Sequence, residues 1–298
     1  MPRYKRILVI RLGAFGDLIL SLAPIAALRV NHSDAKITLL TTRPFVELAS
    51  KCPYFDDVWE IERWPWYRLV SWLGFFRRIR GGNFDCVYDL QRNDRTFIFR
   101  IFSPRRLRKT WFGEGPLPAA ERQYALAISD FRAFPLPDLS WLDADISGFG
   151  IRPPFVLLVP GSSPQHPEKR WPVAQYAGLA QALVNKGYIP VALGTASETS
   201  SLQKLTDAVP PVVNLGGKTS MSEIAALARL AAGAVGNDTG PIHLIAMTGC
   251  PSLALYSGAS NPEQSLPNGV NVRSIQSHHI ADITVEAVYD SLSMFLRQ

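Results

Sequence analysis

Cysteine is scarce in this 298-residue chain: Cys52, Cys86 and Cys250 are three in number and widely separated. They supply neither a disulfide framework nor a metal-ligand spacing, and they suit a reducing compartment. No apolar run reaches the ~18–20 residues that span a bilayer. The basic start, Met1 to Leu12, is interrupted at Arg11 and no small-residue cleavage site follows. A cytoplasmic protein without a signal peptide is therefore expected. Other signatures are missing too: no G-x-x-x-x-G-K-[ST] loop, no G-x-S-x-G elbow, no H-E-x-x-H pair and no Cys/His cluster. Asp143-Ala-Asp145 falls in a Pro- and Gly-rich stretch and reads as surface, so no metal site is expected. Charged residues make up only 19% of the chain against 47% hydrophobic, which excludes disorder.

The charge that is present is uneven. Residues 1–150 hold 22 Lys and Arg against 16 Asp and Glu, while residues 151–298 hold nine of each, so the net +6 belongs to the first half. Twelve basic residues lie from Arg63 to Lys109 against Asp85, Asp89 and Asp94. Such a field favours an anionic partner, or it marks a solvated helix face. Aromatics interleave with it: Trp64, Trp66, Tyr67, Trp72, Phe75 and Phe76 among Arg68, Arg77, Arg78 and Arg80. From Trp64 to Arg80 the chain reads as an interfacial membrane-contact stretch or as a helix packed on a sheet. No nucleic-acid recognition motif accompanies the charge, and no nucleic acid is expected as a partner.

Strand-like and helical segments alternate. Arg6–Leu12, Lys36–Thr41, Asp57–Ile61 and Phe84–Leu90 read as strands, with helical stretches at Leu18–Val30 and Pro44–Ser50. Pro135–Pro154 reads as a linker. A second alternation follows, with strands Phe155–Pro160, Tyr188–Gly194, Val212–Leu215, Gly233–Asn237 and Ser252–Tyr256. Its helices are Val173–Lys186, Glu198–Ala208, Ser222–Ala231, Pro241–Thr248 and Ile283–Leu296. This is an α/β pattern of two doubly wound, Rossmann-like domains, residues 1–150 and 151–298, expected to face one another across a cleft. Ligands of such sheets bind outside the carboxyl ends of the strands.

Three loops at strand ends carry chemistry. Gly13-Ala-Phe-Gly16-Asp17 follows the first strand; its glycines permit a tight turn, and Asp17 is either a general base or an acid complementing a helix start. Pro160-Gly-Ser162-Ser163, followed by Lys169-Arg-Trp-Pro172, offers hydroxyls and a point charge to phosphate oxygens. Gly236-Asn-Asp238-Thr239-Gly240-Pro-Ile-His243 opens a helix whose N-terminal N–H groups attract anions. There Asp238 alternatively caps the helix and His243 packs in the core.

Taken together these residues resemble glycosyltransferase family 9, the bacterial lipopolysaccharide heptosyltransferases. The family's [RK]-x-G-x-x-G-D is matched by Arg11–Asp17, its P-G-[ST]-S…K-x-W-P by Pro160–Ser163 and Lys169–Pro172, and its D-[TS]-G-x-x-H by Asp238–His243. A softer match joins Asp89-Leu-Gln91 to Arg95-Thr96. The loop between Ser163 and Lys169 departs from the pattern with Pro-Gln-His-Pro-Glu. The resemblance implies a GT-B fold and metal-independent, inverting transfer of a heptose from an ADP-sugar to a lipopolysaccharide core or related anionic glycolipid. No cofactor is implied, since the nucleotide sugar is itself a substrate. It makes Asp17 the general base. Ser162, Ser163, Lys169, Asp238, Thr239, Gly240 and His243 become donor-side residues, and Glu198 the carboxylate at the ribose. Gly13, Gly16, Gln91, Arg92 and Arg95 become candidates on the acceptor side. Work at the cytoplasmic face of the inner membrane would follow.

Two other classes share parts of this pattern. A nicotinamide-dependent oxidoreductase would use the same doubly wound halves, but the G-x-G-x-x-G spacing is absent and Thr41-Thr42-Arg43 stands where an acidic residue would follow the second strand. A non-catalytic basic module for membrane or nucleic acid would need the charge and not Asp17.

Overall fold

The computed structural model describes residues 4–62, 64–65, 67–91, 96, 108–110, 137–163 and 165–297. The chain divides into two compact units, Met1–Trp141 and Leu142–Gln298.

In the first unit the strands are β1 (Arg6–Ile10), β2 (Lys36–Thr41), β3 (Asp57–Glu60), β4 (Cys86–Asp89) and β5 (Arg108–Thr110). They pair in the order β3-β2-β1-β4-β5, and every pairing is parallel. Parallel sheets carry helices on their faces, so their strands are continuous apolar runs. Ile7, Leu8, Val9 and Ile10 of β1 are all fully buried. The described helices are α1 (Phe15–Asn31), α2 (Arg43–Lys51) and α3 (Leu69–Gly81).

The second unit contains β6 (Phe155–Val159), β7 (Ile189–Ala192), β8 (Val213–Asn214), β9 (Gly233–Asn237), β10 (Ser252–Tyr256) and β11 (Val272–Gln276). Their order is β11-β10-β9-β6-β7-β8, again all parallel. Its helices are α4 (Val173–Val184), α5 (Thr199–Ala208), α6 (Met221–Leu230), α7 (Gly240–Met247), α8 (Pro262–Ser265) and α9 (Val285–Ser293). Tyr176, Leu179 and Leu183 of α4 recur every three or four residues and pack with Val156, Leu158 and Val235 of the sheet.

Both sheets are doubly wound. In each, the first strand lies between a run that proceeds one way and a run that returns the other way, so a switch point falls between β1 and β4 and another between β6 and β9. Loops leaving those strands diverge and leave a crevice at the carboxyl edge. All three motif loops leave these strands: Arg11–Ala14 after β1, Pro160–Ser163 after β6, and Asp238–Thr239 after β9.

Three features differ from the sequence reading. β5 and β11 were not expected, because each is an outer strand of mostly polar residues, Arg-Lys-Thr and Val-Arg-Ser-Ile-Gln, visible only through pairing with β4 and β10. The aromatic stretch divides its residues between two tasks. Phe75 and Ile79, one helical turn apart on α3, are buried with Leu8, Ile10 and Val87, and Trp64, Trp72 and Phe76 pack against the same cluster. Trp64 lies edge-on to Trp72 at 5.7 Å and to Phe75 at 6.0 Å, so these rings serve the sheet. Tyr67, Leu69, Val70 and Leu73 remain exposed, while Trp66 lies outside the described residues. None of the described helices is long and apolar enough to cross a membrane.

Candidate active site

In the first unit, the turn from β1 into α1 places Asp17. Gly13 takes φ +125°, a backbone conformation that side chains rarely adopt, and a Cβ there would come within 2.9 Å of the Phe45 ring. Asp17 lies in the first turn of α1. Its Oδ2 accepts from the Ala14 N–H at 3.1 Å and pairs with Arg11 Nη2 at 3.1 Å. Among the described residues nothing bonds its Oδ1, and the side chain is 48% exposed. The carboxylate thus complements the helix start and still presents one oxygen outward. Arg11 is anchored in turn by donating to the Leu90 carbonyl. Burial pulls the pKa of Arg11 down, and the carboxylates of Asp17 and Asp89 oppose that pull.

The structure also brings Gln91 to this turn. Its Oε1 accepts from the Leu12 N–H at 2.9 Å, so the end of β4 braces the end of β1. Gln91 is therefore a positioning group for the Gly13–Asp17 turn, with Gly16 in the first turn of α1. Arg92 and Arg95 lie outside the described residues.

In the second unit, four elements converge on Asp238. Its Oδ2 accepts from Lys169 Nζ at 3.0 Å and from Ser260 Oγ at 2.9 Å, and its Oδ1 faces His243 Nε2 at 3.5 Å. Burial raises the pKa of this carboxyl, but the His243 hydrogen bond and the Lys169 charge outweigh burial and hold it at about 2. Because that folded value lies below the ordinary 3.8, the ionised form stabilises the fold above about pH 4, and this support is lost as pH falls through 2. The contribution is about 2 kcal/mol. Urea unfolding at pH 5 and pH 2.5 should show that loss in the natural chain and much less of it in Asp238→Asn.

Thr239, not Asp238, is the N-cap residue of α7, with extended φ and ψ of −146° and 163°. Gly240 and Pro241 follow in the first turn, so the free N–H groups there have no acceptor within the helix. His243 is buried, and its Nδ1 finds no hydrogen-bond partner among the described residues.

Ser162 is buried and its hydroxyl is engaged within its own loop: it donates to the His166 carbonyl at 3.0 Å and accepts from Arg170 Nε at 2.9 Å. Ser163 is exposed, and its Oγ accepts from the Gln165 N–H at 3.4 Å. Glu198 arrives from the end of β7. Its Oε2 accepts from the Thr195 N–H at 2.7 Å and from Thr195 Oγ1 at 3.0 Å. Its carboxylate occupies the space that a Cβ on Gly161 would need, so glycine at that position is what lets the β6 and β7 loops approach.

Asn237 was not singled out by sequence. It is fully buried, and its amide donates to the Pro160 carbonyl at 2.8 Å and the Gly161 carbonyl at 3.2 Å. Its Oδ1 accepts from the Trp171 N–H at 3.1 Å and the Tyr176 hydroxyl at 3.2 Å. One side chain thereby ties the β6 loop, the Lys169–Pro172 segment and the end of β9 into a single framework. An amide closing the otherwise apolar strand Gly-Ala-Val-Gly-Asn was the available signal. Ser260, which bonds Asp238 from beyond β10, carried no local signal.

Among the described residues no group of three or more His, Cys, Asp or Glu is placed to hold a metal ion. With one unit presenting a carboxylate and the other a Lys at a helix N-terminus, both at switch points, comparison with known proteins becomes informative. The family model for glycosyltransferase family 9 (heptosyltransferase) matches residues 116–289, more than half of the chain. Lipooligosaccharide heptosyltransferase 2 of Haemophilus influenzae is 34% identical over a stretch that covers 38% of this chain and 34% of that one. Lipopolysaccharide heptosyltransferase 2 of Salmonella typhimurium is 26% identical over 98% of this chain and 99% of its own. The solved structure of the Escherichia coli ADP-heptose lipopolysaccharide heptosyltransferase II superposes with a TM-score of 0.81 at 22% identity, covering 97% of this chain and 98% of that one. The resemblance carried by the motifs is thus a true kinship, and it displaces the oxidoreductase and the non-catalytic module. The chain belongs to glycosyltransferase family 9, the heptosyltransferases, and is a glycosyltransferase of GT-B fold.

Proposed function

We propose that this enzyme moves a heptose from an ADP-activated donor, with inversion at the anomeric carbon, onto a lipopolysaccharide core or related anionic glycolipid. Relatives named for lipopolysaccharide and an E. coli neighbour named for ADP-heptose support the substrates. The observation that carries the chemistry is the Lys169–Asp238 pair beside the N-terminus of α7, with Glu198 packed against Gly161.

Asp17 takes the proton of the acceptor hydroxyl on its outward Oδ1, and that hydroxyl oxygen attacks the anomeric carbon. The bond from that carbon to the diphosphate oxygen breaks in the same displacement, which inverts the centre. Negative charge gathers on the departing diphosphate. Lys169 supplies a fixed positive charge, and the free N–H groups of Thr239, Gly240 and the first turn of α7 supply donors. A Lys and a helix dipole do the work a divalent cation would do at a leaving group, so the reading is metal-independent and needs no cofactor. Asp238 holds Lys169 and is itself faced by His243. Ser162 and Ser163 shape the phosphate loop, and Glu198 meets the ribose. A mass-spectrometric turnover assay offering ADP-heptose and other nucleotide sugars to purified Kdo–lipid A acceptors tests this. Transfer from ADP-heptose supports it, and transfer only from another sugar overturns it.

Action on a lipid-borne acceptor places the enzyme at the cytoplasmic face of the inner membrane. Val70 is 84% exposed and Leu69 65%, and Tyr67 and Leu73 are exposed beside them. Arg68, Arg77 and Arg80 stand exposed on the same segment. Apolar side chains rimmed by arginine match an anionic bilayer surface. The triple replacement of Leu69, Val70 and Leu73 by Ser should reduce co-sedimentation with phosphatidylglycerol vesicles several-fold. Undiminished co-sedimentation moves the contact elsewhere.

A further inference from the structure

Two side chains take all four consecutive carbonyls of the loop after β6. Asn237 Nδ2 donates to those of Pro160 at 2.8 Å and Gly161 at 3.2 Å. Arg170 Nη2 donates to those of Ser162 at 3.1 Å and Ser163 at 3.4 Å. Arg170 Nε also donates to Ser162 Oγ at 2.9 Å, so one guanidinium edge closes on the side chain and the backbone of the same residue. The peptides of this loop are trans, and a planar trans peptide points its N–H opposite to its C=O. The N–H groups of Gly161 and Ser162 therefore point away from Asn237, and that of Ser163 points away from Arg170. None of the three has an acceptor among the described residues. Successive free N–H groups of this kind attract an anion.

We propose that Arg170 is a positioning residue for the donor: it fixes the Ser162–Ser163 end of the loop so that these N–H groups meet the diphosphate, while Asn237 fixes the Pro160–Gly161 end. The role is exerted through the loop and not by contact with phosphate. Nε and both hydrogens of Nη2 are already spent on Ser162 and Ser163, which leaves only Nη1, too little for the paired grip by which arginine takes a phosphate. Lys169 leaves the same short turn, Pro167–Lys169, for Asp238. Charge and shape are thus divided between neighbours, with Lys169 supplying the point charge and Arg170 the aim of the backbone. The inference rests on the donor reading above in naming a diphosphate as the ligand.

Arg170 is exposed, so replacing it opens no cavity in the core. Arg170→Gln removes both the charge and the guanidinium fork, whereas Arg170→Lys keeps the charge and removes the fork. Each variant should be titrated with ADP by calorimetry and assayed for steady-state transfer from ADP-heptose to Kdo–lipid A. Both are expected to bind ADP at least tenfold more weakly than the natural chain and within threefold of one another. The donor KM should rise in step, with the acceptor KM within twofold and the thermal unfolding midpoint unchanged. Full ADP affinity in Arg170→Lys would make charge alone responsible and overturn the positioning role, as would equal affinity in all three proteins. A loss of ADP affinity accompanied by a lower unfolding midpoint and a rise in both KM values overturns it as well, because Arg170 then serves the fold. A natural chain that binds ADP but transfers no sugar, with the loss still present in both variants, overturns the transferase reading and leaves the role of Arg170 standing. A natural chain that binds no ADP overturns both.

Discussion

Asp17→Asn should lower sugar transfer ~10²–10⁴-fold, the span a positioned general base contributes, with ADP affinity held within a few-fold. Asparagine keeps the shape and an oxygen for the Ala14 N–H, so the start of α1 survives. It loses the basic oxygen. It also loses the ion pair to Arg11, a residue only 5% exposed whose guanidinium would keep its hydrogen bond to the Leu90 carbonyl. A purely structural role for Asp17 would lower stability and raise KM, whereas a base removes kcat and with it the acidic limb of the pH profile. Thermal unfolding and a full pH–rate curve separate the two. Undiminished turnover in Asp17→Asn would assign the proton to another group.

Lys169→Ala is expected to weaken ADP-sugar binding by ~1–3 kcal/mol, the worth of a buried hydrogen bond between charged partners. Its second consequence comes from Asp238. With a pKa of about 2 that carboxyl is ionised at neutral pH, and its side chain is only 9% exposed. Removing Lys169 leaves a buried charge with, among the described residues, the His243 and Ser260 side chains as its remaining partners, a costly state. The single variant should therefore lose stability as well as affinity. Adding Asp238→Asn removes the stranded charge, so Lys169→Ala with Asp238→Asn should regain stability without regaining affinity. Isothermal calorimetry and urea unfolding measure these separately, and an ADP-sugar affinity unaltered by Lys169→Ala contradicts the proposed grip on the diphosphate.

Much of the fold was readable beforehand. Lys36–Thr41, Gly233–Asn237 and Ser252–Tyr256 are strands with the bounds the apolar pattern suggested. These strands are inner ones, buried on both faces, where composition and environment agree. β11 failed that test because an outer strand exposes much of its surface, and Arg273, Ser274 and Gln276 carry no apolar period. The stretch around α3 was ambiguous for a related reason. Trp72, Phe75, Leu73 and Val70 are similarly apolar, and hydrophobicity alone does not say which face meets the sheet.

What the chain order determined by itself is local. The alternation of strands and helices, the glycine turn before Asp17, and the three loops that identify the family all lie within short stretches, where backbone preference and spacing act directly. The tertiary structure alone decided the rest. Lys169 meets Asp238 across 69 positions, Asn237 gathers carbonyls more than 70 positions away, and Glu198 fills the space beside Gly161. Arg43, Trp64 and Arg78 line one groove although nothing in their spacing links them. The physical reason is that burial and charge pairing depend on which distant surfaces the parallel sheet brings together at its carboxyl edge. Strand order, which creates that edge, is set by packing of the whole domain and not by any single segment.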